Sequence, residues 1–257
     1  MIKAAFFDID GTLVSFNTHK VPESTITALN ALRQKGIKTF IATGRHKTAI
    51  NNLGNLIFDG YITLNGGICL DEKDKIIYKH SIPQEDIRSF IRYQETDPFP
   101  SMIVTECDVF INYCNQDVED ILKILNFPHL PQKPVTDFYD TEVMQLVSFF
   151  KTEQENKIMK ELPHCEATRW HPSFTDIVPK GSSKRVGIDK IAEHFGIGID
   201  ECIAFGDGGN DISMLQYAGI GVAMGNADEE VKRNADYVTD PIDNDGIINA
   251  LKHLDII

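Results

Sequence analysis

The run Lys3-Ala4-Ala5-Phe6-Phe7 passes without a break into Asp8-Ile9-Asp10-Gly11-Thr12, and no other feature of the chain constrains its fold as strongly. Four apolar residues in succession read as a strand buried on both faces, the pattern of a parallel sheet covered by helices. Two carboxylates then follow, one residue apart. On an extended chain, alternation sets Asp8 and Asp10 on the same side. There each raises the other's pKa unless a cation lies between them. A buried strand that stops in paired acids points to chemistry.

The same junction recurs. After the first strand, "VPESTITALNALRQKGI" reads as a helix with Ser24 as N-cap, Ile26, Leu29 and Leu32 on its inward face, and Gly36 at its end. "KTFIAT" is a buried strand that runs into Thr43-Gly44-Arg45, and "DGYITL" a third that runs into Asn65-Gly66-Gly67. In the last third, "SSKRVGIDKIAEHFGI" is an amphipathic helix closed by Gly196. "ECIAFGDGGND" follows as a strand that ends in Gly206-Asp207-Gly208-Gly209-Asn210-Asp211. Helices and strands continue in alternation through "DISMLQYAG", "IGVAMG", "ADYVT" and "DGIINALKHL". This order implies an α/β fold with a doubly wound parallel sheet. All strand C-termini of such a sheet lie along one edge, so the four polar clusters are expected to meet in a single crevice.

The middle breaks the pattern. From Ser81 onward, prolines separate amphipathic segments ("QEDIRSFIRYQE", "VEDILKILNF") from strand-like ones ("SMIVTE", "DVFINY", "VMQLVSFF"). We expect a core formed by residues 1–80 and 180–257, with an inserted α/β cap domain at 81–179. The formal charge of −13 repels polyphosphate backbones, which argues against nucleic acid and anionic membranes as partners. No stretch approaches the roughly 18 apolar residues of a membrane span, and Asp8 interrupts any leader-like segment. The five cysteines are scattered and never spaced as CxxC, as expected of reduced thiols in a cytoplasmic protein.

Asp8, Asp10, Asp207 and Asp211 supply hard oxygen ligands with no histidine or cysteine beside them, a set that suits Mg²⁺. Thr43 offers a hydroxyl and an amide at a turn. Lys184 stands at a helix start, where side chain and helix terminus both favour an anion. Carboxylates, a divalent ion and phosphate donors together describe phosphoryl transfer through a carboxylate nucleophile.

"DIDGT", "TGR", a lysine at position 184 and "GDGGND", in that order, resemble the four signature motifs of the haloacid dehalogenase (HAD) superfamily. The large insertion between the second and third motifs is similar to the α/β cap of its Cof-type sugar-phosphate phosphatases, bacterial hexose-phosphate phosphatases in particular. The resemblance implies that Asp8 attacks phosphorus and that Asp10 acts as general acid and then base. It implies that Ile9, Thr43, Gly44, Lys184 and Asn210 hold the phosphate, and that Asp8, Asp10 (through its carbonyl) and Asp207 hold Mg²⁺. Asp211 would orient that arrangement through a bound water or through Lys184. Arg185 departs from the glycine usual after the third-motif lysine, which leaves Lys180 as a rival for the role.

For the substrate, Arg45 and Asn65 lie beside the expected crevice, and Arg169 next to Trp170 suits a sugar phosphate's hydroxyls and ring face. In the competing view Trp170 and Phe174 pack the inserted unit and Arg169 is a surface cation. The expected partner is a small phosphomonoester, bound by a monomer or weak homo-oligomer whose cap closes over it. A phosphotransferase or sugar mutase would use the same intermediate. A receiver-like phospho-accepting switch would need neither Asp10 nor a cap.

Overall fold

The computed structural model describes residues 1–124 and 130–257. It divides into two compact units, Met1–Lys79 with Ser183–Ile257, and His80–Ser182. The first begins with β1 (Ala4–Phe7), α1 (Glu23–Gln34), β2 (Lys38–Ala42), β3 (Gly60–Thr63), β4 (Ile68–Asp71) and β5 (Ile76–Lys79). The second comprises α2 (Gln84–Thr96), β6 (Ser101–Val104), β7 (Val109–Ile111), α3 (Gln116–Ile124), β8 (Gln145–Ser148), α4 (Thr152–Met159), β9 (Cys165–His171) and β10 (Phe174–Pro179). The chain then completes the first unit with α5 (Lys184–Phe195), β11 (Cys202–Gly206), α6 (Ile212–Leu215), β12 (Ile220–Ala223), α7 (Glu229–Arg233), β13 (Tyr237–Val238) and α8 (Gly246–His253).

Among the described residues the first unit's sheet has the order β13-β12-β11-β1-β2-β3-β4-β5. Strands β13 through β3 in that order are parallel, while β4 and β5 add an antiparallel edge. That edge differs from the all-parallel expectation: "ICLDEKDKIIYK" folds as a hairpin around a short charged turn. The apolar run of β1 serves two cores, as its lack of alternation implies. Ala5 and Phe7 join Ala28, Leu29 and Leu32 of α1 and Ile247, Ala250 and Leu251 of α8 on one face. Ala4 and Phe6 join Ile188, Ile191 and Ala192 of α5 and Met214 and Leu215 of α6 on the other. Phe7 stacks on Phe205 and Phe6 on Phe40, with ring centroids 5.1 and 4.9 Å apart, so each face gains stacking energy beyond its buried area.

Strand β1 lies between β2 and β11, where the strand order reverses, and both neighbours run parallel to it. This is the switch point at which open α/β sheets leave a crevice outside the strand ends. The α1 start differs from expectation. Pro22, with φ of −60°, precedes the first helical residue Glu23. Ser24 therefore falls inside the first turn, its Oγ buried without a partner among the described residues. Gly196, in the left-handed region at φ 64°, ends α5 as read from the sequence.

The second unit is a sheet of order β7-β6-β8-β10-β9 with antiparallel pairings throughout. Ile87, Phe90 and Ile91 of α2 and Ile158 of α4 cover one face over Ile103, Leu146 and Ile177. Val118 of α3 packs with Met102 and Phe174 on the other. The expected continuation of the α3 helix through "LNF" lies outside the described residues. All five cysteines are free, and among the described residues no helix is long and apolar enough to cross a membrane.

Candidate active site

Strand β1 ends at Phe7, and the Asp8 amide still donates to the Phe205 carbonyl at 3.0 Å, which carries Asp8 just past the sheet edge beside β11. The chain then folds into a tight turn: Leu13 and Val14 donate to the Ile9 carbonyl, and Gly11 to that of Val14. Gly11 sits at φ +88°, and a Cβ there would lie 2.1 Å from Asp207 Oδ2. Only glycine lets the turn pass this close to Asp207.

Lys184 joins the first and last clusters. Its ammonium is 2.6 Å from Asp8 Oδ1 and 2.5 Å from Asp211 Oδ1, with no solvent exposure. Ser183 Oγ caps α5 by accepting from the Val186 amide at 3.3 Å, which sets the helix start beneath the lysine. The other oxygen of Asp211 accepts from the Asp207 and Gly208 amides at 3.0 and 2.9 Å, so both its oxygens are committed. Asp207 Oδ1 accepts from Thr12 Oγ1 at 2.8 Å, and Asn226 Nδ2 bridges the Gly11 carbonyl and Asp207 Oδ2.

Burial dominates the electrostatics. It pushes Asp8 up to about 8 against the pull of Lys184, with Asp211 reinforcing the rise. Burial likewise raises Asp207 to about 6, while the Thr12 hydroxyl works in the opposite direction. For Lys184 burial favours the neutral amine, but Asp211 and Asp8 together outweigh it and hold the ammonium above its ordinary value. Carboxylates raised in this way gain from any cation that binds them.

One ligand oxygen each from Asp8, Asp207 and Asp211 lies within 4.8 Å of the others. With Asp211 occupied by Lys184 and two amides, Asp8 and Asp207 remain as carboxylate donors for a metal. An all-oxygen set with two carboxylates fits a small hard divalent cation.

Thr43 lies just beyond β2, nearly fully buried, and its Oγ1 accepts from the Arg45 amide at 3.1 Å. Asn65, at φ 53°, donates its amide to the Thr43 carbonyl, and its side-chain oxygen accepts from Asn210 Nδ2 at 3.0 Å. A Cβ on Gly44 would approach Asn65 Nδ2 to 3.1 Å. The four polar clusters thus share one sheet edge, joined by Lys184, Thr12 and the Asn65–Asn210 pair. Ile9 is fully buried in the turn.

Several expected contacts fall elsewhere. Arg45 grips the Asp10 carboxylate (Nε–Oδ2 2.7 Å, Nη2–Oδ1 2.8 Å) rather than standing open to a substrate. Arg169 is no surface cation: its guanidinium binds Glu155 at 2.8 Å and the carbonyls of Pro172, Phe174 and Phe150, which ties β9 to its neighbours and engages four of its five N–H groups. The Trp170 side chain lies outside the described residues. Lys180 donates to the Pro163 carbonyl within the second unit, whereas Lys184 contacts Asp8. Arg185, in place of glycine, lies over the Tyr217 ring at 4.7 Å, so the larger side chain finds a partner. Thr12, a member of the first polar cluster, was given no role of its own in the sequence, and Asn226 was not singled out there. Asn226 follows β12 at the same edge, so the rule that located the other clusters extends to it.

The sequence profile of the haloacid dehalogenase-like hydrolases matches residues 5–251. The Bacillus subtilis protein YkrA, whose name marks it as a candidate phosphatase, is 35% identical over 99% of this chain and 98% of its own. The HMP-PP phosphatase of Escherichia coli is 28% identical over 88% of this chain and 85% of its own. Among solved structures, a sugar phosphatase of HAD subclass IIB is similar with a TM-score of 0.89 at 48% identity, covering 99% of this chain and 100% of that one. A HAD-superfamily phosphatase from Bacteroides thetaiotaomicron gives 0.92 at 41% identity, over 100% and 96% of the two chains.

Proposed function

From the premise that this chain belongs to the haloacid dehalogenase-like hydrolase family and is a phosphatase, we propose that it hydrolyses sugar phosphates, with Mg²⁺, through a phosphoryl group carried on Asp8. The sugar class is supported by the solved relative at 48% identity, which is named a sugar phosphatase. Magnesium would be held by the Asp8 and Asp207 carboxylates and the Asp10 carbonyl. When bound it would offset the repulsion between carboxylate and phosphate.

In the first half-reaction an oxygen of Asp8 bonds to phosphorus as the phosphorus–sugar oxygen bond breaks, and Asp10 delivers a proton to the departing alkoxide. In the second, Asp10 takes a proton from water as the water oxygen bonds to phosphorus. The bond to Asp8 breaks, and inorganic phosphate leaves. Lys184, the Thr43 hydroxyl, the Ile9 and Gly44 amides and Asn210 would carry the charge on the phosphoryl oxygens. Asp211 holds Lys184 in place for this.

One observation carries the reading: the solvent-free Lys184 ammonium held between Asp8 and Asp211 at 2.6 and 2.5 Å, in a cluster that Asp207 completes. Buried charges in such number stabilise a fold poorly, whereas they suit a site that receives a metal and a phosphate. The test is phosphate release from a panel of hexose and pentose phosphates, with Mg²⁺ and with chelator. Turnover should vanish on chelation and in Asp8→Asn, with the fold of the variant intact. Easily measured turnover by folded Asp8→Asn removes Asp8 as nucleophile.

A further inference from the structure

Arg45 is more completely engaged than a substrate-binding residue should be. Nε and Nη2 bind the two oxygens of Asp10 at 2.7 and 2.8 Å, and Nη1 binds the Ala49 carbonyl at 3.0 Å. Its backbone is fixed as well, the amide donating to Thr43 Oγ1 and the carbonyl accepting from the Leu64 amide at 3.2 Å. A planar fork on a carboxylate sets the direction of the acid as well as its distance. Stability is a poor reason for the pair, because its side chains are 34% and 35% exposed and exposed ion pairs contribute little.

In the reaction proposed above, Asp10 must bring an oxygen to within hydrogen-bond reach of the leaving group and then of water. Each Asp10 oxygen accepts one bond from Arg45 and keeps a further lone pair for the leaving group's proton and then for water. We infer that Arg45 is a positioning residue for Asp10: its two bonds hold the carboxylate plane at the mouth of the site, so that the remaining lone pair of an oxygen is aimed at the leaving group and then at water. The inference rests on the two-step reaction through Asp8. The fork is essential to it, since a lysine supplies the charge but cannot hold both oxygens in one plane.

The test uses Arg45→Gln and Arg45→Lys in first-turnover measurements on two substrates. A hexose phosphate expels an alkoxide that needs a proton from Asp10, whereas p-nitrophenyl phosphate expels a phenolate that leaves without one. Release of hexose should fall about 10- to 100-fold in both variants, part of the roughly 10²- to 10⁴-fold that a positioned acid supplies, with KM unchanged and no rescue by lysine. First-turnover release of p-nitrophenolate should stay near the wild-type rate, which also reports that the variant is folded. A rise in KM at constant kcat would make Arg45 a substrate contact and overturn the inference. Equal losses on both substrates, or none on either, would also overturn it. Acid-quenched Asp10→Asn separates the two levels. Phosphorylated Asp8 there, with Arg45 variants like wild type, refutes only the positioning role. If, with p-nitrophenyl phosphate, phosphoenzyme is missing from both Asp10→Asn and wild type, the underlying reaction is refuted.

Discussion

Replacing Lys184 with methionine keeps the length of the side chain and removes its charge. The ammonium has no solvent exposure and lies 2.6 and 2.5 Å from two carboxylates that are themselves buried, Asp8 at 8% and Asp211 at 0% exposure. Removing one partner of a buried ion pair costs about 3–5 kcal/mol, because the charge left behind has neither water nor counter-ion. For a unit of this size that corresponds to a fall of roughly 6–20 °C in Tm. The deficit should depend on pH. Burial already raises Asp8 from 3.8 to about 8, with Lys184 opposing it. An acid whose folded value is raised contributes stability that is complete below the unfolded value and is lost as pH climbs through the folded one. Without Lys184 the folded value rises further, and both proteins keep Asp8 protonated below about pH 7, so the variant's deficit should be smallest there and grow as pH climbs past about 8. Thermal unfolding of wild type and Lys184→Met, both in chelator, measures it. A shift below about 2 °C, or one that does not change across that range, would refute the reasoning.

Magnesium should raise Tm more at about pH 8 than at about pH 6, because Asp8 and Asp207 must shed protons to ligate it. Stabilisation that is flat with pH, or larger in acid, would mean that these carboxylates are not the ligands. Arg169→Ala should lower the unfolding temperature of the second unit, since it strands Glu155 and three carbonyls at a cost of about 1–3 kcal/mol. Turnover of the folded variant at saturating substrate should be unchanged. A higher KM for sugar phosphates without loss of stability would show instead that Arg169 reaches the substrate.

The site was legible wherever chemistry follows directly from strand direction. Asp8, Thr43, Asn65 and Asp207 each come just past a buried strand, and parallel strands bring such positions to one edge whatever their separation in sequence. Lys184 was legible for a second reason, its place at the start of an amphipathic helix, a start that the Ser183 cap fixes in the structure. What escaped depends on side-chain reach. No pattern indicates that Arg45 turns back to Asp10, or that Arg169 folds onto carbonyls of its own unit. The β4–β5 hairpin was missed because its charged turn, Glu72 to Lys75, reads as loop between two short apolar pieces. At Ser24 a side-chain preference was outweighed by backbone: the fixed φ of Pro22 starts α1 before a serine cap is needed.

The central claim is a covalent bond between Asp8 and phosphorus. It is tested most directly by mixing Asp10→Asn with p-nitrophenyl phosphate, whose leaving group needs no proton, and Mg²⁺, quenching in acid, and mapping the trapped phosphoryl group by mass spectrometry. It should lie on the peptide that carries Asp8 and be absent when chelator is added or when Asp8→Asn is also present. A phosphoryl group on any other residue, or full turnover with none trapped, would contradict the claim.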